Sequence, residues 1–130
     1  MSNDCKLNKW EMLKQTLNNL KPSEFQGYMN EHPEAVVLDC RTPDEYAFGR
    51  IKDATNFDYL SRDMVGQINK LDSEKTYLVY CRSERRSIRT CVLLRNGGIP
   101  NIYNLDGGLI AWVEKFGTDS LERIEAEQVS

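Results

Sequence analysis

Apolar residues along the 130-residue chain follow two patterns, one typical of buried strands and one typical of helices. Three short runs are rich in apolar residues: AVVLDC at 35–40, TYLVYC at 76–81 and NIYNL at 101–105. Such runs predict strands of a parallel sheet with both faces covered. The segment ATNFDY at 54–59 is more polar and predicts an edge strand.

Between these runs, apolar residues recur every three or four positions, which is the spacing of an amphipathic helix. Start and stop signals support this interpretation, since Thr42 precedes Pro43 at one predicted start and Gly97-Gly98 follows one predicted end. Ser23 and Ser61 are further candidate N-caps. The pattern predicts helices over 9–20, 23–31, 42–49, 61–71 and 109–116, and one from the Cys81 loop to residue 96.

Because strands alternate with helices, the expected fold class is α/β, a parallel sheet with helices on both faces. A chain of this length fits one domain and can bury a core without metal or disulfide support. Residues 1–21 predict a helical extension at one end of the chain, and residues 118–130 a polar tail at the other. The active site of such a sheet lies at the carboxyl ends of its strands, and Cys81 is at one of them.

Composition and charge exclude several classes of function. A hydrophobic fraction of 40% and a charged fraction of 28% are ordinary for a globular domain. The formal net charge of −3 argues against general binding to nucleic acid or to a membrane surface, so we expect neither partner. The N-terminal sequence MSNDCKLNKWEMLK lacks the apolar segment of a secretory signal, and we expect a cytoplasmic protein.

The four cysteines, Cys5, Cys40, Cys81 and Cys91, are widely and irregularly spaced. They include no Cys-x-x-Cys pair, and the chain has one histidine, His32. This spacing predicts neither a zinc site nor a disulfide framework, so we expect free thiols in a reducing compartment.

Cys81 stands where a predicted strand ends and a helix begins, and arginine fills four of the next eight positions. The unpaired N–H groups of a helix N-terminus and the guanidinium groups of Arg82, Arg85 and Arg86 favour the charged form of the thiol, without a neighbouring base. Successive N–H groups and arginines also bind anions. The loop therefore predicts a nucleophilic thiolate that attacks a small anion.

Two chemistries fit this loop: sulfur transfer from an anion such as thiosulfate, and transfer of a phosphoryl group. Protein-tyrosine-phosphatase chemistry uses a cysteine, five further residues and then an arginine. The residue six places after Cys81 is Ser87, and Arg86 comes one position too early. The loop thus favours sulfur carried on the cysteine, and a small-anion phosphatase is the less favoured interpretation.

Three segments resemble the single-domain rhodaneses, which are thiosulfate:thiol sulfurtransferase-like domains. The loop CRSERRS resembles their active loop, usually Cys-x-x-Gly-x-Arg-Ser/Ala. VVLDCRTPDEYAFGRIKDATNFDY resembles Asp-x-Arg…Glu…Gly-His-Ile-x-Gly-Ala-x-Asn, and RNGGIPNIYNLDGGLIAW resembles Gly-Phe…Val-x-x-Leu-x-Gly-Gly…Trp. Outside the loop the matching residues are Asp39, Arg41, Glu45, Gly49, Ile51, Ala54, Asn56, Gly97, Leu105, Gly107, Gly108 and Trp112.

The resemblance implies one rhodanese-like domain over residues 22–117, with a central sheet of about five strands, and a persulfide mechanism. Cys81 would take the outer sulfur of thiosulfate, release sulfite, and pass the sulfur to a thiol or cyanide acceptor, with a sulfur-relay protein as a further partner. No metal or organic cofactor is implied. The candidate substrate-binding residues are Arg82, Ser83, Glu84, Arg85, Arg86 and Ser87, of which Arg86 matches the usual loop arginine.

Asp39, Arg41 and Glu45 are expected to form a network of ion pairs that supports the strand end beside the loop. Glu84 stands where the family often has glycine, and it would be strained if its φ were positive. Its charge also offsets part of the arginine cluster, which keeps open a second hypothesis, a rhodanese-like sulfur carrier or protein-interaction module. Cys40, in place of a common valine, is expected to be a core residue, with a resolving thiol as the alternative.

Overall fold

A computed structural model describes residues 8–123, and within this range five strands form one parallel sheet. The strands are β1 Asn18–Leu20, β2 Val36–Asp39, β3 Thr55–Asn56, β4 Tyr77–Tyr80 and β5 Ile102–Leu105. Their order across the sheet is β1-β5-β4-β2-β3, so β4 is central and β3 lies at an edge, as predicted. Cys5 lies outside the described residues.

Helices cover both faces of this sheet, and the predicted α/β fold class is confirmed. They are α1 Lys9–Gln15, α2 Pro22–Glu31, α3 Pro43–Phe48, α4 Met64–Asn69, α5 Arg85–Asn96 and α6 Gly108–Phe116. Successive residues of β4 face opposite sides, since Val79 packs with Leu94 of α5 and Leu78 packs with Trp112 of α6. The core therefore has two halves separated by the sheet.

The predicted helix over residues 9–20 is wrong in its second half. Helix α1 ends at Gln15, and residues 18–20 pair in parallel with residues 103–105 of β5. Asparagine side chains compete with the helical backbone for hydrogen bonds, and the Asn19 amide donates to the Lys14 carbonyl at 2.9 Å. The segment thus covers the open edge of β5.

Two predicted N-caps are also wrong. Helix α4 begins at Met64 and not at Ser61, because the Asp63 carboxylate accepts the Gly66 N–H at 3.1 Å. Helix α2 has Lys21 as its N-cap, and Ser23 falls inside the first turn because Pro22 favours the first helical position.

The beginning of the predicted tail packs against the domain. A short 3₁₀ turn spans Thr118–Ser120, and Arg50 and Glu122 then form an antiparallel bridge. Among residues 8–123, no helix is both long enough and apolar enough to cross a bilayer.

Candidate active site

Cys81 directly follows the central strand β4, and the loop that starts there leads into α5. Its Sγ accepts a hydrogen bond from the Ser87 N–H at 3.3 Å, and its carbonyl accepts one from the Leu109 N–H at 2.9 Å. Ser87 supplies the one backbone N–H that residues 8–123 bring to Sγ, whereas the sequence indicated a nest of several. Cys81 is 1% exposed, so the closed loop covers the thiol.

Ser87 is itself held by a buried polar chain. Its hydroxyl donates to Asn104 Oδ1 at 2.7 Å, and Asn104 Nδ2 donates to Asn19 Oδ1 at 3.0 Å. Sequence reasoning missed Asn104, although an asparagine inside a buried strand is a recognisable signal, since strands are depleted of asparagine. These hydrogen bonds link Ser87, beside the Cys81 thiol, to the edge strand β1.

The three loop arginines have different surroundings. Arg86 forms a forked pair with Glu45, with nitrogen–oxygen distances of 2.8 and 3.2 Å. The Arg86 hydrogen bond is the largest cause that lowers the pKa of Glu45, to about 2. The Arg85 guanidinium lies 5.5 Å from the centre of the Trp10 ring. Arg82 is exposed and forms no ion pair with any described residue.

Asp39 and Arg41 form a second, buried ion pair beside the loop. Arg41 Nη2 lies 2.6 Å from Asp39 Oδ2 and also donates to the Gly49 carbonyl. The Tyr80 hydroxyl donates to the same Asp39 oxygen at 2.6 Å. Since Asp39 is 0% exposed, these contacts replace its lost hydration. These contacts brace the end of β2, and neither side chain is hydrogen-bonded to Cys81 Sγ.

With this geometry in place, comparison with known proteins identifies the family. A family model described as "Rhodanese-like domain" matches residues 21–115. The chain belongs to the rhodanese-like domain family. A sulfurtransferase from Allochromatium vinosum is 29% identical over 97 residues, which cover 74% of this chain and 88% of that protein.

Two further comparisons limit what the rhodanese-like family implies here. A tRNA uridine(34) hydroxylase from Cytophaga hutchinsonii is 34% identical over 110 residues, and the match covers 82% of this chain but 35% of that protein. The chain thus spans about a third of such relatives. A rhodanese-like domain protein from Staphylococcus aureus has a TM-score of 0.70 at 24% identity, covering 82% of this chain and 98% of that one. This likeness shows the fold.

Glu84, at the position where the resemblance often has glycine, does not have a positive φ. Its φ is −161°, so the strain considered for a left-handed conformation does not arise. Its Oε1 atom lies 2.5 Å from Lys14 Nζ and accepts the Gly107 N–H at 3.1 Å. Glu84 therefore joins the loop to α1 and to the start of α6.

The loop also packs tightly on Gly108. That glycine has φ of +65°, and a Cβ added there would lie 2.2 Å from the Ser83 carbonyl oxygen. Only a residue without a side chain leaves room for the loop at this distance. Gly108 thereby sets how closely Ser83 approaches α6.

The other two described cysteines of the rhodanese-like domain lie in its core. Cys40 continues β2 beside Cys81, and its Sγ donates to the Tyr80 carbonyl at 3.1 Å. Burial raises the pKa of Cys40 well above its ordinary value, and burial also raises the pKa of Cys91. Both thiols are therefore protonated at neutral pH. Within residues 8–123, no three Cys, His, Asp or Glu side chains are grouped to hold a metal ion.

Proposed function

We propose that this rhodanese-like domain transfers sulfur through a persulfide on Cys81. The observation that carries the proposal is the contact between Cys81 Sγ and the Ser87 N–H, at the end of the central strand and in the first turn of α5. A helix N-terminus favours negative charge, which a thiolate and a persulfide anion both carry. The exposed guanidinium of Arg82 is the group that meets an anionic donor at the loop.

Two nucleophilic steps complete the reaction. The Cys81 thiolate attacks the outer sulfur of thiosulfate, a bond forms between Sγ and that sulfur, and the bond to the sulfonate sulfur breaks with its electron pair leaving on sulfite. A thiolate or cyanide then attacks the outer sulfur, and the pair of the broken bond returns to Sγ. Since each step exchanges one sulfur bond for another, no further oxidant or reductant is needed.

The 1% exposure of Cys81 means that a donor reaches Sγ only after the loop moves. The contacts that hold the loop in place include those of Ser83 with Gly108 and of Glu84 with Gly107. This burial favours a second candidate function, a sulfur carrier that receives its sulfur from a protein partner able to open the loop. In that case small donors load the thiol slowly.

Incubation with thiosulfate followed by intact mass spectrometry tests the proposal. The protein should gain one sulfur atom, peptide mapping should place it on Cys81, and Cys81→Ser should remove it. Cys91→Ala is the control, because it removes a buried thiol of the same type outside the loop. Absence of the adduct contradicts thiosulfate as the donor. An adduct that forms only with a protein persulfide favours the carrier.

Of the activities named for its relatives, we extend only sulfur transfer to this chain. The chain covers 35% of the Cytophaga hydroxylase, and its net charge of −3 gives no electrostatic support for RNA binding. The free thiols of Cys40, Cys81 and Cys91 support a reducing compartment such as the cytoplasm.

A further inference from the structure

Two cysteines follow neighbouring strands at the centre of the sheet. Cys40 comes directly after β2 and Cys81 directly after β4, and the last residues of these strands, Asp39 and Tyr80, are paired in parallel register. The Cys40 N–H continues this pairing by donating to the Tyr80 carbonyl at 2.9 Å. Because neighbouring strands lie about 4.8 Å apart, the backbones of Cys40 and Cys81 have a separation that a disulfide can bridge.

The side chains of Cys40 and Cys81 lie on the same face of the sheet. Both belong to the half of the core that α5 covers, together with Leu38 and Val79, which precede them by two residues on the same strands. The Cys40 Sγ donates to the Tyr80 carbonyl at 3.1 Å, so this sulfur is turned toward the residue directly before Cys81. Cys40 is 0% exposed, and it therefore faces Cys81 from inside the core.

The two thiols also differ in charge. Burial, followed by the charge of a Cys81 thiolate, raises the pKa of Cys40, so Cys40 stays protonated while Cys81 is ionised. Cys40 thus keeps its proton beside a group that is negative both as a thiolate and as a persulfide. A neutral thiol in this position can supply the proton that a departing sulfide needs.

We propose that Cys40 is a resolving thiol, which attacks the persulfide of Cys81, forms a disulfide with it and releases hydrogen sulfide. This inference rests on the proposed sulfur transfer through Cys81. It adds a second fate for the bound sulfur, because without an external acceptor the sulfur leaves the protein as sulfide. The substrate is any donor that loads Cys81 with sulfane sulfur.

The position of Cys40 selects the sulfur atom that is attacked. A donor reaches Cys81 through the loop, so the outer sulfur is left on the loop side of Sγ, whereas Cys40 lies on the core side. Cys40 therefore attacks Sγ of Cys81 and not the outer sulfur. Attack at the outer sulfur would only move the persulfide to a buried residue and would release nothing.

The resolving step balances with the atoms already present. A bond forms between the two Sγ atoms, and the bond from Cys81 Sγ to the outer sulfur breaks with its electron pair on the outer sulfur. The Cys40 proton passes to that sulfur, which leaves as HS⁻. Cys40 is oxidised and the outer sulfur is reduced, so the persulfide itself is the oxidant. A dithiol reductant then returns both cysteines to thiols for the next cycle.

Loading followed by removal of the donor tests the release of sulfide. The protein is incubated with thiosulfate in the absence of oxygen, desalted and kept without any added thiol. Sulfide should appear in an amount equal to the loaded sulfur, and the mass should fall to that of the reduced chain less two hydrogen atoms. Peptide mapping should then show a disulfide between Cys40 and Cys81. A loaded protein that keeps its sulfur overturns the proposal.

Variants of the buried cysteines locate the effect. Cys40→Val introduces the residue that is common in the family, and Cys40→Ala cannot overfill the site. Both variants should keep the extra sulfur and lose the release of sulfide. Cys91→Ala is the matched control, because Cys91 is a buried thiol in the same half of the core, and it should release sulfide as the unaltered protein does. Unchanged release from both Cys40 variants, or a disulfide from Cys81 to Cys91 alone, overturns the proposal.

Diamide separates this inference from the proposed function, since it oxidises thiols without supplying sulfur. In the reduced protein it should join Cys40 to Cys81, and Cys91→Ala should not change this result. If Cys81 loads with sulfur but diamide does not join the two cysteines, the resolving role is overturned and the proposed transfer stands. If Cys81 loads neither from thiosulfate nor from a protein persulfide, the transfer and the release of sulfide are both overturned, and diamide still shows whether the two thiols meet.

Discussion

Lys14 Nζ lies 2.5 Å from Glu84 Oε1, so helix α1 is joined to the active loop through the residue that replaces the family's usual glycine. Lys14 also donates to Asp106 at 2.6 Å, beside the start of α6. Arg85 adds a second contact to the same helix by lying over the Trp10 ring. Helix α1 therefore contributes to holding the loop closed over Cys81.

Breaking the Lys14–Glu84 pair should make Cys81 more accessible. Lys14→Met and Glu84→Gln should each raise the alkylation rate of Cys81 by iodoacetamide about fivefold, because a partly buried ion pair contributes on the order of 1 kcal/mol to the closed loop. Mass spectrometry of the alkylated peptide measures the rate. Lys70→Met, at the end of α4, is the control, and equal rates in all four proteins contradict the role of the pair.

The Arg86–Glu45 pair should stabilise the fold in a defined pH range. The pKa of Glu45 is about 2 in the folded protein, below its ordinary value of 4.5, so the pair contributes its full stability above about pH 4.5. That contribution is lost as the pH falls through 2. Both side chains are partly exposed, at 26% and 32%, so added salt should weaken the effect.

Arg86→Gln tests this pair directly. The pKa of Glu45, followed by NMR titration, should rise toward 4.5, and the free energy of unfolding should depend less on pH between 2 and 4.5. Arg89→Gln removes an exposed arginine from the same helix and should change neither quantity. A pKa of Glu45 that stays near 2 in Arg86→Gln would assign the shift to the Thr42 N–H.

Tyr80→Phe should destabilise the domain through the buried Asp39 carboxylate. The Tyr80 hydroxyl donates to Asp39 at 2.6 Å and accepts the Ile51 N–H at 3.0 Å, so its removal leaves two buried groups without this partner. The loss should be about 2 kcal/mol in urea unfolding. Tyr59→Phe, whose hydroxyl has no hydrogen bond within the described structure, is the control. An equal loss in the two variants would contradict this account.

Gly108→Ala should both destabilise the fold and displace the loop. Alanine at φ of +65° costs about 1 kcal/mol, and its Cβ would also collide with the Ser83 carbonyl. Unfolding experiments should show a loss above that value, together with faster alkylation of Cys81. Gly27→Ala is the matched control, because Gly27 lies inside α2 with open space around it and alanine favours helices. If both variants gain stability, Gly108 does not limit how closely Ser83 approaches α6.

Local patterns predicted most of the fold. The cores of β2, β4 and β5 and the helices between them follow from the spacing of apolar residues, because each pattern reflects burial of one face or one strand. The boundary between α1 and β1 was not predictable in this way. Residues 18–20 become a strand because β5, more than 80 residues later, offers an unpaired edge.

Residues distant in the sequence determine the contacts of the active loop. Cys81 and Ser87 were identified from the loop, but Arg86 is bound by Glu45 and Glu84 is bound by Lys14. No local pattern specifies either pair, because the partners lie on other helices. Asn104 likewise contacts Ser87 from a strand distant in the sequence, so no local pattern relates the two residues.

By itself, the sequence determined the α/β class, the family and the position of a cysteine between a strand and a helix, because these depend on residue order and short-range spacing. The tertiary structure alone decided that Cys81 is buried and which arginines form ion pairs. It also decided that an apolar groove lined by Phe48 and Ile110 adjoins the loop. These properties depend on how α1, α3 and α6 pack around the Cys81 loop. Such packing arises from contacts between segments that no local pattern relates.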